Sequence, residues 1–309
     1  LGDFAGVAAS LELFGISKYI SVPLVALLIS YVVSHGSYNY VEKIFLTFSF
    51  AFFSYIAAAI VIQPNWVEIS HAIVNPSIQF NSSYIITFIG LIGTTISPYM
   101  QFYLQASIVD KKLSLKDYKY EKLDVYLGAV WGAIISFFVI VVTAATLHKA
   151  VIEADSVSSI AIALKPLAGE YAYILFGAGL FGSSVLACAI IPLSTSYAIC
   201  EAFGWENGVN NKPNEAKAFF SILFGMIFIT SALILIPNLS LIPLILRTQQ
   251  IAGILVPAIL IFMIILINDK RIMGKWINNR FQNTIAISTV VFIISLTLIL
   301  IITQLASLF

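Results

Sequence analysis

The chain has 309 residues, of which 60 % are hydrophobic and 10 % charged, with a formal net charge of +1 and a mean hydropathy of +0.98. That balance excludes an ordinary soluble domain, and a charge so close to zero gives no basis for binding nucleic acid. The two cysteines, Cys188 and Cys200, share one apolar stretch without metal-ligand spacing, so they read as small core residues.

A membrane span needs roughly 20 mostly apolar residues, and about nine such runs follow one another here. They fall near 2–14, 17–34, 39–62, 83–109, 123–147, 170–202, 216–236, 246–268 and 282–305. The runs are too long for strands and lack a two-residue alternation, so the expected class is an all-α polytopic transmembrane helix bundle.

The first run, "LGDFAGVAASLELFG", begins with Leu1 and has no charged leader or cleavage site, so it reads as a fragment or processed chain. It carries two acids, Asp3 and Glu12, which are functional candidates if they lie in the membrane. The segment 63–82 has room for an amphipathic turn, and Asn81-Ser82-Ser83 matches the short glycosylation sequon.

The fourth run contains "GTTISPYM", residues 93–100. Gly90 and Gly93 weaken the helix, and Pro98 lacks an N–H and clashes with the carbonyl of Thr94. Carbonyls near Thr94 and Thr95 then need other partners. Two readings fit: a proline kink whose hydroxyls bond their own backbone, or a discontinuous helix that offers freed carbonyls to an ion.

The sixth run is rich in small residues and reads as a packing surface, with Ser194, Thr195 and Ser196 after Pro192 as a lesser candidate for lining a path. In the eighth, "TQQIAGILVP", Gln249 and Gln250 are costly to bury unpaired, and Gly253 and Pro257 again loosen the helix. His35, His71 and His148 fall near span ends, where an interfacial position is expected. No His-Glu-x-x-His, P-loop, Gly-x-Ser-x-Gly or Rossmann pattern occurs, so transport is favoured over enzymatic chemistry.

Lysine and arginine set the orientation. Alternating spans put Lys43, Lys111, Lys112, Lys116, Lys119, Lys122, Lys212, Lys217, Lys270, Arg271, Lys275 and Arg280 on one side, and Lys18, Lys149, Lys165 and Arg247 on the other. Twelve against four places the first group in the cytoplasm.

Taken in order, "DFAGVAASLELFGI", "GLIGTTISPYMQFYLQAS", "SSVLACAIIPLSTSYAICEAFG", "TQQIAGILVPAILIF" and "NDKRIMG" resemble the natural resistance-associated macrophage protein (Nramp) family of divalent-metal transporters. The resemblance implies a LeuT-like inverted-repeat transporter fold with broken first and sixth helices around a central metal. On that frame residues 1–309 form one transmembrane domain from the family's third helix onward, truncated at its beginning. The Asp-Pro-Gly signature of the first broken helix is missing.

The family pattern Gly-Ala-Thr-x-Met-Pro-His looks like Gly93-Thr94-Thr95-Ile96-Ser97-Pro98-Tyr99. By that resemblance Thr94 supplies a carbonyl to the metal, Ser97 stands in place of the methionine sulfur, and Gln249 is the side-chain ligand of the eighth run. Met100 restores sulfur if the register slips by three residues. Asp3 and Tyr99 are coupling or gating candidates. The acid expected one turn after Asp3 is Gly6, the expected histidine is Tyr99, and the basic residues expected in the seventh run are absent apart from Lys217 at its edge.

A hydroxyl in place of a thioether suits a hard ion, and losing three titratable positions weakens the case for proton coupling. Both changes resemble the Nramp-related magnesium transporters. The expectation is transport of Mg²⁺, and Mn²⁺, without obligatory proton coupling, no cofactor, and residence in the plasma (inner) membrane of a prokaryote. The alternative is a proton-coupled Mn²⁺/Fe²⁺ importer. A sodium-coupled amino-acid carrier on the same fold and a non-transporting scaffold are the other classes.

Overall fold

The computed structural model describes residues 1–35, 38–79, 81–148, 157–237 and 241–306, and the regular structure among them is helical. In chain order the helices are α1 (Gly2–Glu12), α2 (Lys18–His35), α3 (Tyr38–Ser49), α4 (Phe53–Ile62), α5 (Trp66–Val74), α6 (Ser82–Thr95) and α7 (Pro98–Asp110). There follow α8 (Tyr118–Thr143), α9 (Val157–Phe203), α10 (Lys217–Ile234), α11 (Leu241–Asn268), α12 (Lys270–Met273) and α13 (Arg280–Ala306).

Eight helical segments among the described residues are long and apolar enough to cross a membrane. Three of them join neighbours: α3 with α4, α6 with α7, and α8 with the π-turn Ala144–His148 that follows it. The first apolar run differs from the expected nine spans, because α1 has 11 residues, about half the length a bilayer core requires. The segment 63–82 holds α5, started by Asn65, whose side chain accepts the N–H groups of Val67 and Glu68 at 3.2 and 3.3 Å. Asn81 of the sequon caps α6 in the same way, accepting the Tyr84 N–H at 2.8 Å. His35 and His71 are exposed, as expected of interfacial residues. Lys149 and the side chains of His148 and Lys165 lie outside the described residues.

The chain forms two compact units, residues 1–75 with 102–242 and residues 76–101 with 243–309. The first is organised around α9, against which α1, α4 and α10 pack. Small residues make this possible. A Cβ on Gly6 would overlap the Ser184 hydroxyl, one on Gly179 would lie 2.6 Å from the Ser54 hydroxyl, and one on Gly182 would overlap Ala51. Residues 4–10 of α1 are all buried. Ser194 and Ser196 are buried too, which fits the packing role expected for the sixth run. The second unit contains α6, the first turn of α7, and α11 to α13, with α6 packed on α13 through Ile85, Ile89 and Leu296.

Candidate metal centre

The apolar helix ends where glycine, hydroxyls and proline accumulate. α6 stops at Thr95, Ile96 leaves helical geometry at φ −114° and ψ 65°, and Pro98 opens α7 at a position that needs no N–H. Helical bonding lasts to the Ile96 N–H, which donates to Ile92 O at 2.8 Å, and resumes when the Met100 N–H donates to Ser97 O at 3.1 Å.

Between these points a side chain replaces the backbone donor. The Ser97 hydroxyl lies 3.0 Å from Gly93 O and 3.0 Å from Thr94 O. It has one proton, so it donates to one carbonyl at a time and keeps lone pairs of its own. Thr94 O is the carbonyl that residue 98 would serve in an unbroken helix, and proline has nothing to donate. Ser97 is also buried, 8 % exposed, as is Gly93, whereas Thr94 and Thr95 are exposed. The Thr94 and Thr95 hydroxyls behave as the kink reading expects, donating to Gly90 O at 3.1 Å and Leu91 O at 2.8 Å.

α11 crosses this break with its own glycine and proline. A Cβ on Gly93 would overlap the Gln249 carbonyl oxygen and the Gly253 nitrogen, and one on Gly253 would lie 2.5 Å from Ile89 O. The two backbones therefore touch. Pro257 lies inside α11, so it cannot donate to the carbonyl of Gly253 four residues back. Each helix thus loses one backbone donor near the crossing, to Thr94 O in one and to Gly253 O in the other. In this setting Gly93 and Gly253 permit close approach, beyond the helix weakening expected of them. Gln250 is nearby, its Cγ 3.8 Å from where a Gly90 Cβ would stand.

The structure sets Thr94 and Ser97 together at the break and brings the backbone of Gln249, whose side chain is half-buried, against the adjoining Gly93. Tyr99 is half-buried in the first turn of α7, and Met100 in that turn is 43 % exposed. Beside the break, Ile96, Pro98, Gln101, Val256, Ile259 and Leu260 line a cleft too tight to admit water. Asp3 sits in the first turn of α1, in the other unit. Among the described residues no group of three or more His, Cys, Asp or Glu gathers; the oxygens seen at the break include the Gly93 and Thr94 carbonyls and the Thr94, Thr95 and Ser97 hydroxyls.

Sequence reasoning missed one polar arrangement in the first unit. The Tyr197 hydroxyl of α9 donates to Asp110 at the end of α7 and accepts the Val209 N–H at 3.0 Å. Tyr197 is fully buried against the edge of Phe219. An aspartate at the end of an apolar helix was the available signal.

The family model described as Natural resistance-associated macrophage protein-like matches residues 1–303. The chain belongs to this family. Within the Nramp family it is similar to the divalent metal cation transporter MntH of Clostridium acetobutylicum, at 24 % identity over 246 residues, covering 77 % of this chain and 54 % of that protein. The chain spans about half the length of that curated relative. Nramp membership and eight apolar span-length helices make this an integral membrane protein.

Proposed function

We propose that this Nramp chain takes part in moving divalent metal cations across the membrane, with Mg²⁺, and Mn²⁺, as substrates of an oxygen-donor site that needs no obligatory proton coupling. The observation that carries the reading is the Ser97 hydroxyl at the broken helix, 3.0 Å from the Gly93 carbonyl and 3.0 Å from the Thr94 carbonyl, whose helical donor position is taken by Pro98. An arriving cation competes for those carbonyls. The hydroxyl then turns its proton away and offers a lone pair to the ion or to its bound water. Thr94 contributes its carbonyl and Gln249 its amide oxygen. All three are hard donors, which suit Mg²⁺ better than a thioether-selected transition metal. Tyr99, next to Pro98, acts in gating.

Packing at Gly6 supports the uncoupled mechanism. The position one turn after Asp3 lies so close to Ser184 that even a Cβ overlaps it, leaving no room for a second carboxylate there. Asp3 is left as the candidate coupling acid of α1.

A second reading, a proton-coupled Mn²⁺/Fe²⁺ importer, is favoured by Met100, a thioether in the first turn of α7. Liposomes containing the full-length protein separate the two when Mg²⁺ and Mn²⁺ entry are followed alongside lumenal pH. Mg²⁺ uptake without acidification is expected. Metal-dependent acidification, or Mn²⁺ uptake indifferent to millimolar Mg²⁺, would sink the magnesium reading.

A further inference from the structure

The connection from α11 to α13 is a hydrogen-bonded corner with charge to spare. Asn268, the last residue of α11, and Asn283, in the first turn of α13, exchange amide hydrogen bonds at 2.7 and 2.9 Å, and Asn278 donates to Asn283 at 3.1 Å. Asn279 and Gln282 start α13 reciprocally, each accepting the other's backbone N–H at 2.8 and 2.9 Å. Asp269 caps α12 by accepting the Arg271 N–H at 2.8 Å, and its carboxylate also takes the Arg271 guanidinium at 2.6 Å. Backbone N–H groups at the starts of α12 and α13 are therefore satisfied by side chains of the turn itself.

The charge is not balanced in the same way. Residues 269–280 hold Lys270, Arg271, Lys275 and Arg280 against the single acid Asp269, and Arg271 already occupies that acid. Lys270, Lys275 and Arg280 are exposed, three cations within eleven residues of chain. Beside them Ile272, Trp276 and Phe281 expose 62 %, 44 % and 72 % of their surface. The Lys275 ammonium lies 5.5 Å from the centre of the Trp276 ring, which holds charge and indole together. The corner joins the ends of two candidate spans, Leu246–Asn268 and Arg280–Ile299, so it lies at the height of the lipid headgroups.

We propose that residues 270–281 form a binding surface for anionic phospholipid headgroups of the cytoplasmic leaflet. Lys270, Lys275 and Arg280 meet the phosphates, and Ile272, Trp276 and Phe281 enter the interfacial layer. Charge complementarity selects this occupant: the positive-inside count puts the corner on the cytoplasmic side, and cations flanked by an interfacial tryptophan match a negative leaflet surface. Arg280 adds a planar fork suited to phosphate. The inference does not depend on which ion is carried.

The test uses the full chain with Trp66, Trp131 and Trp205 changed to Phe, leaving Trp276 as the fluorophore. It is reconstituted in phosphatidylcholine vesicles containing brominated phosphatidylglycerol or brominated phosphatidylcholine. Half-maximal quenching should need at least about fivefold less brominated phosphatidylglycerol. The preference should vanish in Lys270→Gln/Lys275→Gln/Arg280→Gln and persist in the charge-preserving Lys270→Arg/Lys275→Arg. It should also survive Lys116→Gln/Lys119→Gln/Lys122→Gln in the other lysine-rich cytoplasmic loop. Equal quenching by the two lipids in the chain with its charges intact overturns the proposal without recourse to the charge variants. So does a preference that survives loss of all three cations.

Discussion

Gly93 of α6 and Gly253 of α11 touch through their backbones, so that a Cβ on either would strike main-chain atoms of the other helix. Main chain cannot swing aside as a side chain does. Gly93→Ala and Gly253→Ala must therefore push α6 and α11 apart at the break, at a cost of ~1–3 kcal/mol each. Gly128 and Gly132 of α8 face open space within 4 Å. Alanine there should leave the unfolding midpoint unchanged or raise it slightly. Thermal unfolding in detergent compares the four variants, and equal midpoints would refute the close-contact account.

Ser97 allows a test that separates structure from ion choice. Ser97→Ala removes the proton shared by Gly93 O and Thr94 O, and leaving one such buried carbonyl unpaired costs ~1–3 kcal/mol. Ser97→Met places sulfur at the position where the family pattern has methionine. Its Mn²⁺ to Mg²⁺ uptake ratio should rise several-fold over that of the unsubstituted protein, while Ser97→Ala lowers uptake of both. An unchanged ratio in Ser97→Met would mean that residue 97 does not face the ion. The same assay on Met100→Leu then decides whether residue 100 does.

The features legible in the sequence were local ones. Apolar runs gave the positions of the long helices, and Gly93 with Pro98 marked the break, because both signals lie within a single turn or span. Pairings between distant segments leave no such mark. Tyr197 and Asp110 lie 87 residues apart, and although Asp110 stands out at the end of an apolar helix, nothing in either helix names the other as its partner. The contact of Gly93 with Gly253 was hidden for the same reason: glycine reads locally as a weak helix former, and its close-approach role exists once the second helix is in place. Hydropathy also set the start of the sixth run at residue 170, whereas α9 begins at Val157. Helical geometry continues past the apolar stretch there.

Tyr197 predicts a local effect with a distinct readout. Tyr197→Phe keeps the ring against Phe219 but leaves the Asp110 carboxylate and the Val209 N–H without their shared partner. The loss should be ~1–3 kcal/mol. Faster hydrogen exchange should appear at the Val209 amide and leave the α1 amides unaffected. Slow exchange at Val209 in the variant would show that the hydroxyl does not hold the loop.

Two half-buried carboxylates outside the spans predict an acid response. The Ser114 N–H and hydroxyl donate to Asp117 at 2.9 and 2.8 Å and hold its carboxyl below the usual aspartate value of 3.8. The Arg271 guanidinium, then the Arg271 N–H, does the same for Asp269. For a carboxylate with a depressed folded pKa, the stabilisation is complete above the unfolded value and is lost as pH falls through the folded one. Both turns should be unchanged from pH 8 to about 5 and loosen below about 4. The ¹³C resonances of the two carboxyl groups report this directly. Midpoints at or above 3.8 would contradict the hydrogen bonding seen at these turns.

Gly6 carries the sharpest prediction about coupling. A Cβ added there overlaps the Ser184 hydroxyl and comes within 3.1 Å of Ser184 Cβ. The hydroxyl can rotate away; Ser184 Cβ is fixed to the α9 backbone. Gly6→Ala should cost ~1–3 kcal/mol, and Ser184→Gly in the same chain should recover much of it, because the two residues share one contact. Gly6→Glu alone should then misfold or lose stability without gaining proton uptake. The double change Gly6→Glu/Ser184→Gly gives the carboxylate room beside Asp3. If a second acid on α1 is what proton coupling lacks, the double variant should acidify liposomes during Mn²⁺ entry. A Gly6→Glu single variant that is as stable as the unsubstituted protein would show that α1 and α9 are not packed this closely, and would remove the steric support for an uncoupled mechanism.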